Sequence, residues 1–461
     1  MTDRKKIVFG PEAVPGSRVT VLGAARSGLA AAELLKRHGA SVFLSESAPA
    51  AEKAEAVQRL SAASIPAEFN GHSDRAFEAD WMLVSPGIPP QASALKIAAG
   101  KGIPVAGELE AASWYCRAPI VAITGSNGKS TVTALTGEIL KAAGLPVVVA
   151  GNIGRAFSED AEKASPDGAA VIEVSSFQME TVRTFRPRVA VFLNLTQDHI
   201  NWHGSFEAYG RAKARIFENQ TAEDTLVVFA ADAGVTRLAA SARSRIARFD
   251  LKPSGDPCGF VRSGVLMLRE SGADHELVPM DDLGIRGEHN VLNALASALA
   301  CRALDVSLDP IRRTLRAFRG LPHRLEFVLE CGGVAWINDS KGTNVDSVRY
   351  ALGSVGRPVI LIAGGRDKDS DFTVLRDGLK ARARAVILIG EAAGKMEKAF
   401  AGACPTERAG SLRESVARAR SLARPGDAVL LSPACASFDM FRNFEDRGDQ
   451  FKALVREGAD P

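Results

Sequence analysis

The sequence predicts an α/β protein of three domains, each organised around a mostly parallel β-sheet. Short apolar segments recur along the chain and alternate with segments of helical periodicity. This pattern is typical of parallel strands that helices cover on both faces. Glycine-containing turns follow two of the early strands, over residues 23–28 and 125–130, where a backbone can approach a bound anion. A chain of 461 residues is long enough for about three domains.

The first domain, predicted over residues 1–107, is expected to be Rossmann-like. A strand, a glycine turn and a helix come in that order, and Glu46 at the end of the next strand lies near the spacing of the ribose-binding acid in a dinucleotide fingerprint. Ala25 replaces the middle glycine of that fingerprint. The loop over 85–90 is either a ligand-binding loop at a carboxyl strand end or a plain turn. The predicted elements are strands over 18–22, 41–44 and 80–84 and a helix over 29–38.

The second domain, predicted over residues 108–320, contains the most informative stretch of the chain. An apolar strand over 120–123 leads into Gly125-Ser126-Asn127-Gly128-Lys129-Ser130-Thr131, and a helix follows as far as Ala143. Such a loop binds phosphate through backbone N–H groups and the positive end of the helix, while Lys129 adds charge and Ser130 can reach magnesium. A full P-loop has glycine where Ile123 stands, so a plain glycine turn is the alternative.

Polar residues follow two later strands of this P-loop ATPase-type sheet. Because carboxyl ends of parallel strands meet at one edge, Ser130, Glu173 and His199 are expected to converge there, and oxygen ligands suit magnesium. A satisfied structural histidine is the alternative for His199. His203 is interpreted as a non-ligating residue in a loop. The other predicted elements are strands over 146–150, 169–174, 189–195 and 225–230, a small antiparallel patch over 245–285, and a helix from 288 to about 303.

The third domain, predicted over residues 321–461, is expected to be a second Rossmann-like α/β unit. Its polar loops over 338–344, 364–368 and 432–441 each follow a strand and each contain Lys or Ser. Three such loops at one sheet edge indicate an anion-binding site. The predicted strands run over 334–338, 358–363, 385–389 and 427–431.

The composition excludes several classes of protein. A net charge of +3 gives no reason to expect binding to nucleic acid or to membranes, and no apolar run is long enough to span a bilayer. The first ten residues lack the apolar segment of a signal peptide. Six scattered cysteines without a Cys-x-x-Cys motif indicate reduced thiols. We therefore expect a cytoplasmic protein, and we expect it to act as a monomer.

Several motifs taken together resemble the Mur ligases, in order and spacing, along nearly the whole chain. They are the glycine loop over 125–131, Gly151-Asn152-Ile153-Gly154, Glu173-Val174-Ser175-Ser176-Phe177-Gln178, Asn194-Leu195-Thr196-Gln197-Asp198-His199, His289-Asn290-x-x-Asn293-Ala294 and Leu321-Pro322-His323-Arg324. The loops over 339–344 and 432–441 and the run over 443–448 are similar to those of the member that adds glutamate. The resemblance implies an ATP-dependent ligase that joins D-glutamate to UDP-N-acetylmuramoyl-L-alanine through an acyl phosphate.

The resemblance also implies cofactors and site residues. ATP and two magnesium ions would be the cofactors, and carbon dioxide would convert Lys213 into a carbamate. The implied ATP-binding residues are Gly125, Ser126, Asn127, Gly128, Lys129, Ser130, Thr131, Asn290, Asn293, Arg324 and Asp339. The implied magnesium ligands are Ser130, Glu173, His199 and Lys213, and the catalytic set is Lys129, His199, Lys213 and His323. The UDP-sugar would contact Arg26, Glu46, Ser85, Gly87 and Asn152, and glutamate would contact Thr343, Lys368, Ser437 and Phe444.

Three other functions remain alternatives. A folylpolyglutamate synthase-like ligase shares the later domains but lacks a first domain like that over 18–107. A dinucleotide-dependent oxidoreductase explains the first loop but leaves Lys129 unexplained, and NADH binding would favour it. A non-enzymatic P-loop protein explains Lys129 but gives the glutamate loops no task, and absence of ligation would favour it.

Overall fold

The computed structural model describes residues 9–152, 154–367 and 370–458. They form three sheets in two compact units, and the boundary between the units falls between Phe318 and Arg319. The first unit contains two sheets and the second unit contains one. The three α/β assemblies confirm the predicted fold class. The division of the first unit at 107/108, and the boundary at 320/321, stay predictions.

The first sheet has five parallel strands in the order β3-β2-β1-β4-β5. Four of the five β1 residues are buried, as a central strand with helices on both faces requires. Its strands are β1 (Arg18–Leu22), β2 (Ser41–Ser45), β3 (Ala67–Glu68), β4 (Trp81–Val84) and β5 (Val105–Gly107). The helices are α1 (Arg26–Arg37), α2 (Ala54–Ala62), α3 (Ser93–Gly100) and α4 (Glu108–Ser113).

The second sheet has nine strands in the order β14-β13-β12-β11-β10-β9-β6-β8-β7. Strands β6 and β8 are buried along their whole length, and the neighbours of β6 are β8 and β9. The strands are β6 (Ile120–Thr124), β7 (Val147–Gly151), β8 (Ala169–Glu173), β9 (Val189–Phe192), β10 (Thr225–Phe229), β11 (Arg245–Phe249), β12 (Cys258–Arg262), β13 (Val265–Glu270) and β14 (Ala273–Pro279). The helices are α5 (Lys129–Ala142), α6 (Phe157–Asp160), α7 (Ser176–Met179), α8 (Ile200–His203), α9 (Phe206–Ala214), α10 (Ala233–Ala239), α11 (Glu288–Arg302) and α12 (Leu308–Ala317).

The third sheet, in the second unit, has six strands in the order β15-β16-β20-β17-β18-β19. Only β15 is antiparallel to its neighbour. The strands are β15 (Glu326–Cys331), β16 (Val334–Asn338), β17 (Val359–Gly364), β18 (Ala383–Ile389), β19 (Thr406–Arg408) and β20 (Ala428–Leu431). The helices are α13 (Val345–Ser354), α14 (Arg376–Arg382), α15 (Ala393–Phe400), α16 (Leu412–Leu422) and α17 (Phe444–Glu457).

Three local predictions were wrong. Helix α1 begins at Arg26, within the predicted turn, because Gly28 lets the helix pack against the loop: a Cβ there would stand 2.0 Å from the carbonyl oxygen of Gly23. Strand β11 pairs in parallel with β10 and with β12, so the expected antiparallel patch is confined to β12, β13 and β14. His203 ends a short helix, which Gly204 terminates with a φ of +80°.

The described residues also form short 3₁₀ helices. They span Pro11–Ala13, Ala50–Lys53, Asp74–Phe77, Ala161–Lys163, Arg215–Phe217, Met280–Asp282 and Phe372–Leu375. No helix in the described ranges is both long enough and apolar enough to cross a membrane. All six cysteines belong to the described residues and are free thiols.

Candidate active site

The loop between β6 and α5 has the geometry of a phosphate-binding loop. It joins a buried strand to the first turn of a helix, and Gly128 adopts a φ of +85° directly before Lys129. A Cβ on Gly128 would lie 2.6 Å from Oδ1 of Asn293, so a side chain there would displace the Asn293 amide, and the left-handed backbone itself favours glycine. The glycine therefore permits both the turn and the close approach of α11.

Hydrogen bonds from the segment over 194–196 and from Tyr209 hold this loop. The backbone N–H of Asn127 donates to Oδ1 of Asn194 at 2.8 Å, and Nδ2 of Asn194 donates back to the carbonyl of Asn127 at 3.1 Å. Oγ of Ser126 donates to the carbonyl of Thr196 and lies 3.0 Å from the hydroxyl of Tyr209. These hydrogen bonds within the chain fix the shape of the loop. Asn194 and Tyr209 were not among the predicted site residues.

Lys129 and Lys213 both reach the phosphate loop from different helices. Nζ of Lys129 donates to the carbonyls of Gly125 and Ser126 at 2.9 Å each. Nζ of Lys213 donates to the same Gly125 carbonyl at 2.8 Å, and it lies 4.7 Å from the ring centre of Tyr209. The structure therefore brings two of the predicted catalytic lysines together around one carbonyl group.

Lys213 is buried, which is unusual for lysine. Its side chain is 2% exposed, and burial, with the positive charge of Lys129 as the next cause, lowers its pKa well below the ordinary value of 10.5. The negative charges of Asp198 and Glu173 act in the opposite direction. A neutral amine at this position can react with carbon dioxide, whereas an ammonium cannot.

The predicted magnesium ligands lie at the ends of neighbouring strands. Glu173 ends β8 and pairs with Ile123 of β6, and Ser130 is buried in the first turn of α5. Oε1 of Glu173 accepts a hydrogen bond from Nδ2 of Asn152 at 2.7 Å, which orients the carboxylate. A hydroxyl and a carboxylate are the hard oxygen ligands that suit magnesium, so these residues fit the ion.

His199 and Lys213, the other two predicted ligands, do not complete a conventional group of metal-binding side chains. His199 precedes α8 with its side chain 45% exposed, and its Nε2 lies 3.4 Å from Oδ2 of Asp198. Within the part of the chain that the structure describes, no three His, Cys, Asp or Glu residues are grouped so as to hold a metal. The predicted set of Ser130, Glu173, His199 and Lys213 contains only two such residues. Their role as ligands stays a prediction.

Two asparagines predicted to contact the nucleotide lie in α11, and Asn293 stands beside the phosphate loop; their contact with a nucleotide stays a prediction. Nδ2 of Asn293 donates to Oδ1 of Asn290 at 3.0 Å, and Nδ2 of Asn290 donates to the carbonyl of Arg286 at 2.8 Å. Asn293 is the residue that Gly128 approaches. The pair therefore links the start of α11 to the loop.

A cavity of about 310 Å³ lies between the first and second sheets. It brings together four residues predicted to contact the UDP-sugar, namely Arg26, Ser85, Gly87 and Asn152. Gln178 also lines this cavity, although the sequence analysis gave it no role. Its position three residues after Ser175 was the available signal, because Oε1 of Gln178 accepts the Ser175 N–H in a capping box.

Glu46 lies outside the lining of that cavity. Its Oε2 accepts the backbone N–H of Ala24 at 2.7 Å, and its Oε1 accepts that of Ala48 at 2.9 Å. These hydrogen bonds outweigh the effect of burial and lower the pKa of the carboxyl. Glu46 thus shapes the loop after β1, and a contact with the sugar nucleotide stays a prediction.

In the second unit, Asp339 lies buried at the end of β16. Its Oδ2 accepts from Oγ of Ser432 at 2.7 Å, and its Oδ1 accepts from the N–H of Leu325 at 3.2 Å. Burial raises the pKa of Asp339 to about 6, although the guanidiniums of Arg324 and Arg447 oppose the shift. Asp339 therefore joins the loop before β15 to the loop after β20.

His323 occupies the left-handed region, with a φ of +63°. Its ring is buried, its Nδ1 accepts from Nδ2 of Asn338 at 3.1 Å, and its Nε2 lies 3.8 Å from Oδ1 of Asp449. Burial is the main cause of its lowered pKa. Phe444 lies edge-on to the ring, with centroids 6.1 Å apart.

Of the residues predicted to contact glutamate, Thr343 and Ser437 lie on loops of this third sheet, and Phe444 begins α17. Thr343 follows Lys341, whose Nζ lies 5.7 Å from the ring centre of Phe444. Ser437 is buried, and its carbonyl accepts the N–H groups of two following residues. Lys368 lies outside the described residues.

Arg447 is a buried residue whose place the sequence analysis did not foresee. Nε donates to Oγ of Ser340, and Nη2 donates to the carbonyls of Ser340 and Cys435. These bonds tie the loop after β16 to the loop after β20. In the sequence, the feature that could have pointed to Arg447 is its position in the run over 443–448, where α17 starts.

Models of known families match three parts of the chain. The MurD N-terminal domain matches residues 18–94, the Mur ligase middle domain matches residues 123–301, and the Mur ligase glutamate ligase domain matches residues 323–435. These ranges fall on the first, second and third sheets in that order.

Individual proteins match over nearly the full length. The UDP-N-acetylmuramoylalanine–D-glutamate ligase of Salinibacter ruber is 45% identical, over 96% of this chain and 99% of that protein. The enzyme of the same name from Pelotomaculum thermopropionicum is 44% identical, over 95% of this chain and 97% of that protein.

Solved structures share the fold at lower identity. A pseudomurein peptide ligase type C from Methanothermus fervidus superimposes with a TM-score of 0.60 at 18% identity, covering 96% of this chain and 100% of that one. The UDP-N-acetylmuramate-alanine ligase MurC from Thermotoga maritima gives a TM-score of 0.57 at 20% identity, covering 96% and 99%. At these identities the likeness shows the fold alone.

Proposed function

We propose that this chain, which belongs to the Mur ligase family and, within it, to the UDP-N-acetylmuramoylalanine–D-glutamate ligases, adds D-glutamate to UDP-N-acetylmuramoyl-L-alanine. The reaction would use ATP and would belong to cytoplasmic synthesis of peptidoglycan precursors. The main support for the proposal is the phosphate loop, where Lys129 and Lys213 both donate to the carbonyl of Gly125, together with the nearby cavity that Arg26 and Asn152 line. The folylpolyglutamate synthase-like and oxidoreductase alternatives are not favoured.

The first half-reaction activates a carboxylate, which by itself is a poor acylating agent. ATP transfers its γ-phosphoryl group to the alanyl carboxylate, and Lys129 with the N–H groups of the loop would hold the phosphates during transfer. Bound magnesium would neutralise the charge on the phosphates. Ser130, Glu173, His199 and carbamylated Lys213 would hold two such ions.

The second half-reaction is attack by the amine of glutamate, which must first lose a proton. We propose His323 as its acceptor. Asn338 donates to Nδ1 of His323, so in this tautomer Nε2 carries the hydrogen. Before His323 can accept a proton, either the hydrogen bond from Asn338 must break so that Nδ1 is available, or Nε2 must lose its hydrogen.

The proposed function is tested by incubating the protein with UDP-N-acetylmuramoyl-L-alanine, ATP, magnesium and either enantiomer of glutamate. We expect a product heavier by one glutamyl residue, formed with D-glutamate and accompanied by ADP and phosphate. Product with neither enantiomer would reject the proposal.

Arg26→Ala should raise the KM for the UDP-sugar about tenfold, because Arg26 lines the cavity and a bond to an anionic group is worth roughly 1.5–3 kcal/mol. Steady-state kinetics with each substrate varied in turn measure the effect. Arg117→Ala is the control, since this exposed arginine lies outside the cavity lining. A defect in the KM for ATP alone would move Arg26 to the nucleotide site.

Ser437→Ala should raise the KM for glutamate about tenfold and leave the KM for ATP unchanged. The hydroxyl is buried on a loop of the third sheet, and glutamate brings two carboxylates that accept charge-assisted bonds. Ser421→Ala, which removes an exposed hydroxyl bonded to the carbonyl of Arg418, is the matched control. An unchanged KM for glutamate would remove Ser437 from the site.

A further inference from the structure

One imidazole connects the two segments that follow the predicted magnesium ligands. The side chain of His203 is 2% exposed, its Nδ1 lies 2.9 Å from Oε1 of Glu180, and its Nε2 lies 3.0 Å from Oγ of Ser176. Ser176 is the first residue of α7, three residues after Glu173. His203 is the last residue of α8, the short helix that starts directly after His199. The ring therefore bridges the two segments that follow the predicted ligands Glu173 and His199.

The partners of His203 define its hydrogen-bonding state. The carboxylate of Glu180 only accepts, so Nδ1 of His203 carries the hydrogen and Nε2 accepts the hydroxyl hydrogen of Ser176. Both ring nitrogens are thus engaged. His203 cannot bind a cation itself without breaking one of these contacts, which agrees with its interpretation as a non-ligating residue.

Further contacts join the same two helices. Nε1 of Trp202 donates to Oε2 of Glu180 at 3.2 Å, so this carboxylate receives hydrogen bonds from two adjacent residues of α8. The ring of Phe177 packs between two histidines, with its centroid 4.7 Å from that of His199 and 5.7 Å from that of His203. The arrangement makes α7 and α8 one packed block.

His199 needs such support because of its backbone. It adopts a φ of +52°, in the left-handed region that non-glycine residues occupy only at a free-energy cost. A conformation of this kind persists where the surrounding structure holds it. The contacts of His203 lie at the other end of the same short helix and supply that restraint.

We propose that His203 is a positioning residue that holds α8 against α7 and thereby keeps His199 and Glu173 in the positions from which each would bind a divalent cation. The inference rests on the proposed function, in which those two residues are magnesium ligands. Hydrogen-bond partners outside a metal's own ligands change metal affinity by about ten- to a hundredfold when they are removed. His203 would set cation affinity without touching cation or substrate.

Removing both hydrogen bonds while keeping an aromatic ring tests this role. His203→Phe should weaken Mn²⁺ binding to the protein–ADP complex by about tenfold or more, measured from the electron paramagnetic resonance signal of free Mn²⁺. The Mg²⁺ concentration for half-maximal ligation should rise similarly, with the KM for glutamate unchanged. His203→Gln keeps an acceptor for Ser176 and should restore part of the affinity. His275→Phe, on strand β14, is the control.

Different results would overturn the role of His203 and the proposed ligase function. Wild-type Mn²⁺ affinity in folded His203→Phe would overturn the inference. If that variant fails to fold, Ser176→Ala, which removes one of the two contacts, should still weaken Mn²⁺ binding, and an unchanged affinity would overturn the inference equally. Wild-type protein that binds Mn²⁺ and ADP but forms no ligation product would instead reject the proposed function, and the Mn²⁺ measurements would still decide the role of His203.

Discussion

Lys129→Ala should lower the rate of ligation by about a hundred- to a thousandfold, the range found when a preorganised electrostatic group is removed. Its Nζ lies on the phosphate loop, at 2.9 Å from the carbonyls of Gly125 and Ser126. Phosphoryl transfer depends mostly on positioning and on neutralising charge. Loss of the ammonium removes that neutralisation where the γ-phosphoryl group transfers.

The fold should survive the substitution, because other bonds keep the loop in shape. Asn194 still pairs with Asn127, and Lys213 still donates to Gly125. Thermal unfolding should therefore remain close to that of the wild type. Lys141→Ala is the matched control, since this lysine lies on the same helix and makes an exposed pair with Glu138. Near-normal turnover in a folded Lys129→Ala protein would contradict the role of the loop.

The parts of this site that follow from local sequence were predicted well. An apolar run, a glycine loop and a helical pattern each carry their own signal, so strand β6, the glycine loop and the start of α5 at Lys129 are confirmed, while phosphate binding by the loop stays a prediction. Glu173 was expected at a strand end for the same reason, and it ends β8.

Contacts between distant segments were not predictable in this way. The approach of Gly128 to Asn293 and the pairing of Asn127 with Asn194 depend on how the second sheet is ordered, which local periodicity does not encode. Strands β11 and β12 were assigned to an antiparallel patch because short segments with Gly and Pro interrupt them. Strand β11 instead continues the parallel sheet beside β10, and β12 joins it in parallel on one side and β13 antiparallel on the other.

Lys213 shows the limit most clearly, because a basic and polar run normally indicates an exposed helix. The resemblance to the Mur ligases singled out this lysine, and the structure places its amine against the phosphate loop. Burial came from the packing of α9 against α7 and α10, which no local pattern reveals.

Lys213→Ala should be nearly inactive, and we predict that the wild-type lysine is carbamylated. Only a neutral amine reacts with carbon dioxide, and burial lowers the pKa of Lys213 well below 10.5. The carbamate would supply two hard oxygen atoms to magnesium near Glu173, where an ammonium would repel the cation. Lys213→Glu, which restores a carboxylate, should keep a small activity.

Stability measurements distinguish this chemical role from a structural one. In protein stripped of bicarbonate, Lys213 is an unmodified lysine whose pKa is lowered in the folded state, so it binds a proton on unfolding. Its contribution to the free energy of unfolding is then least favourable at neutral pH and improves as pH rises toward 10.5. Lys213→Met keeps the length of the side chain and removes this penalty. It should fold at least as stably as the bicarbonate-stripped wild type at neutral pH, yet should be as inactive as Lys213→Ala.

Carbon dioxide itself provides the most direct test of the modification. Stripping bicarbonate from the buffer should lower the activity of the wild type, and adding it back should restore that activity, because carbamylation is reversible. The Lys213→Glu protein should not respond, since its carboxylate is permanent. Lys252→Ala, which changes an exposed lysine, should respond as the wild type does. Full activity of Lys213→Ala, or a plain amine on Lys213 in an active crystal grown with bicarbonate, would refute the carbamate, because either result would show that catalysis proceeds without those two oxygens.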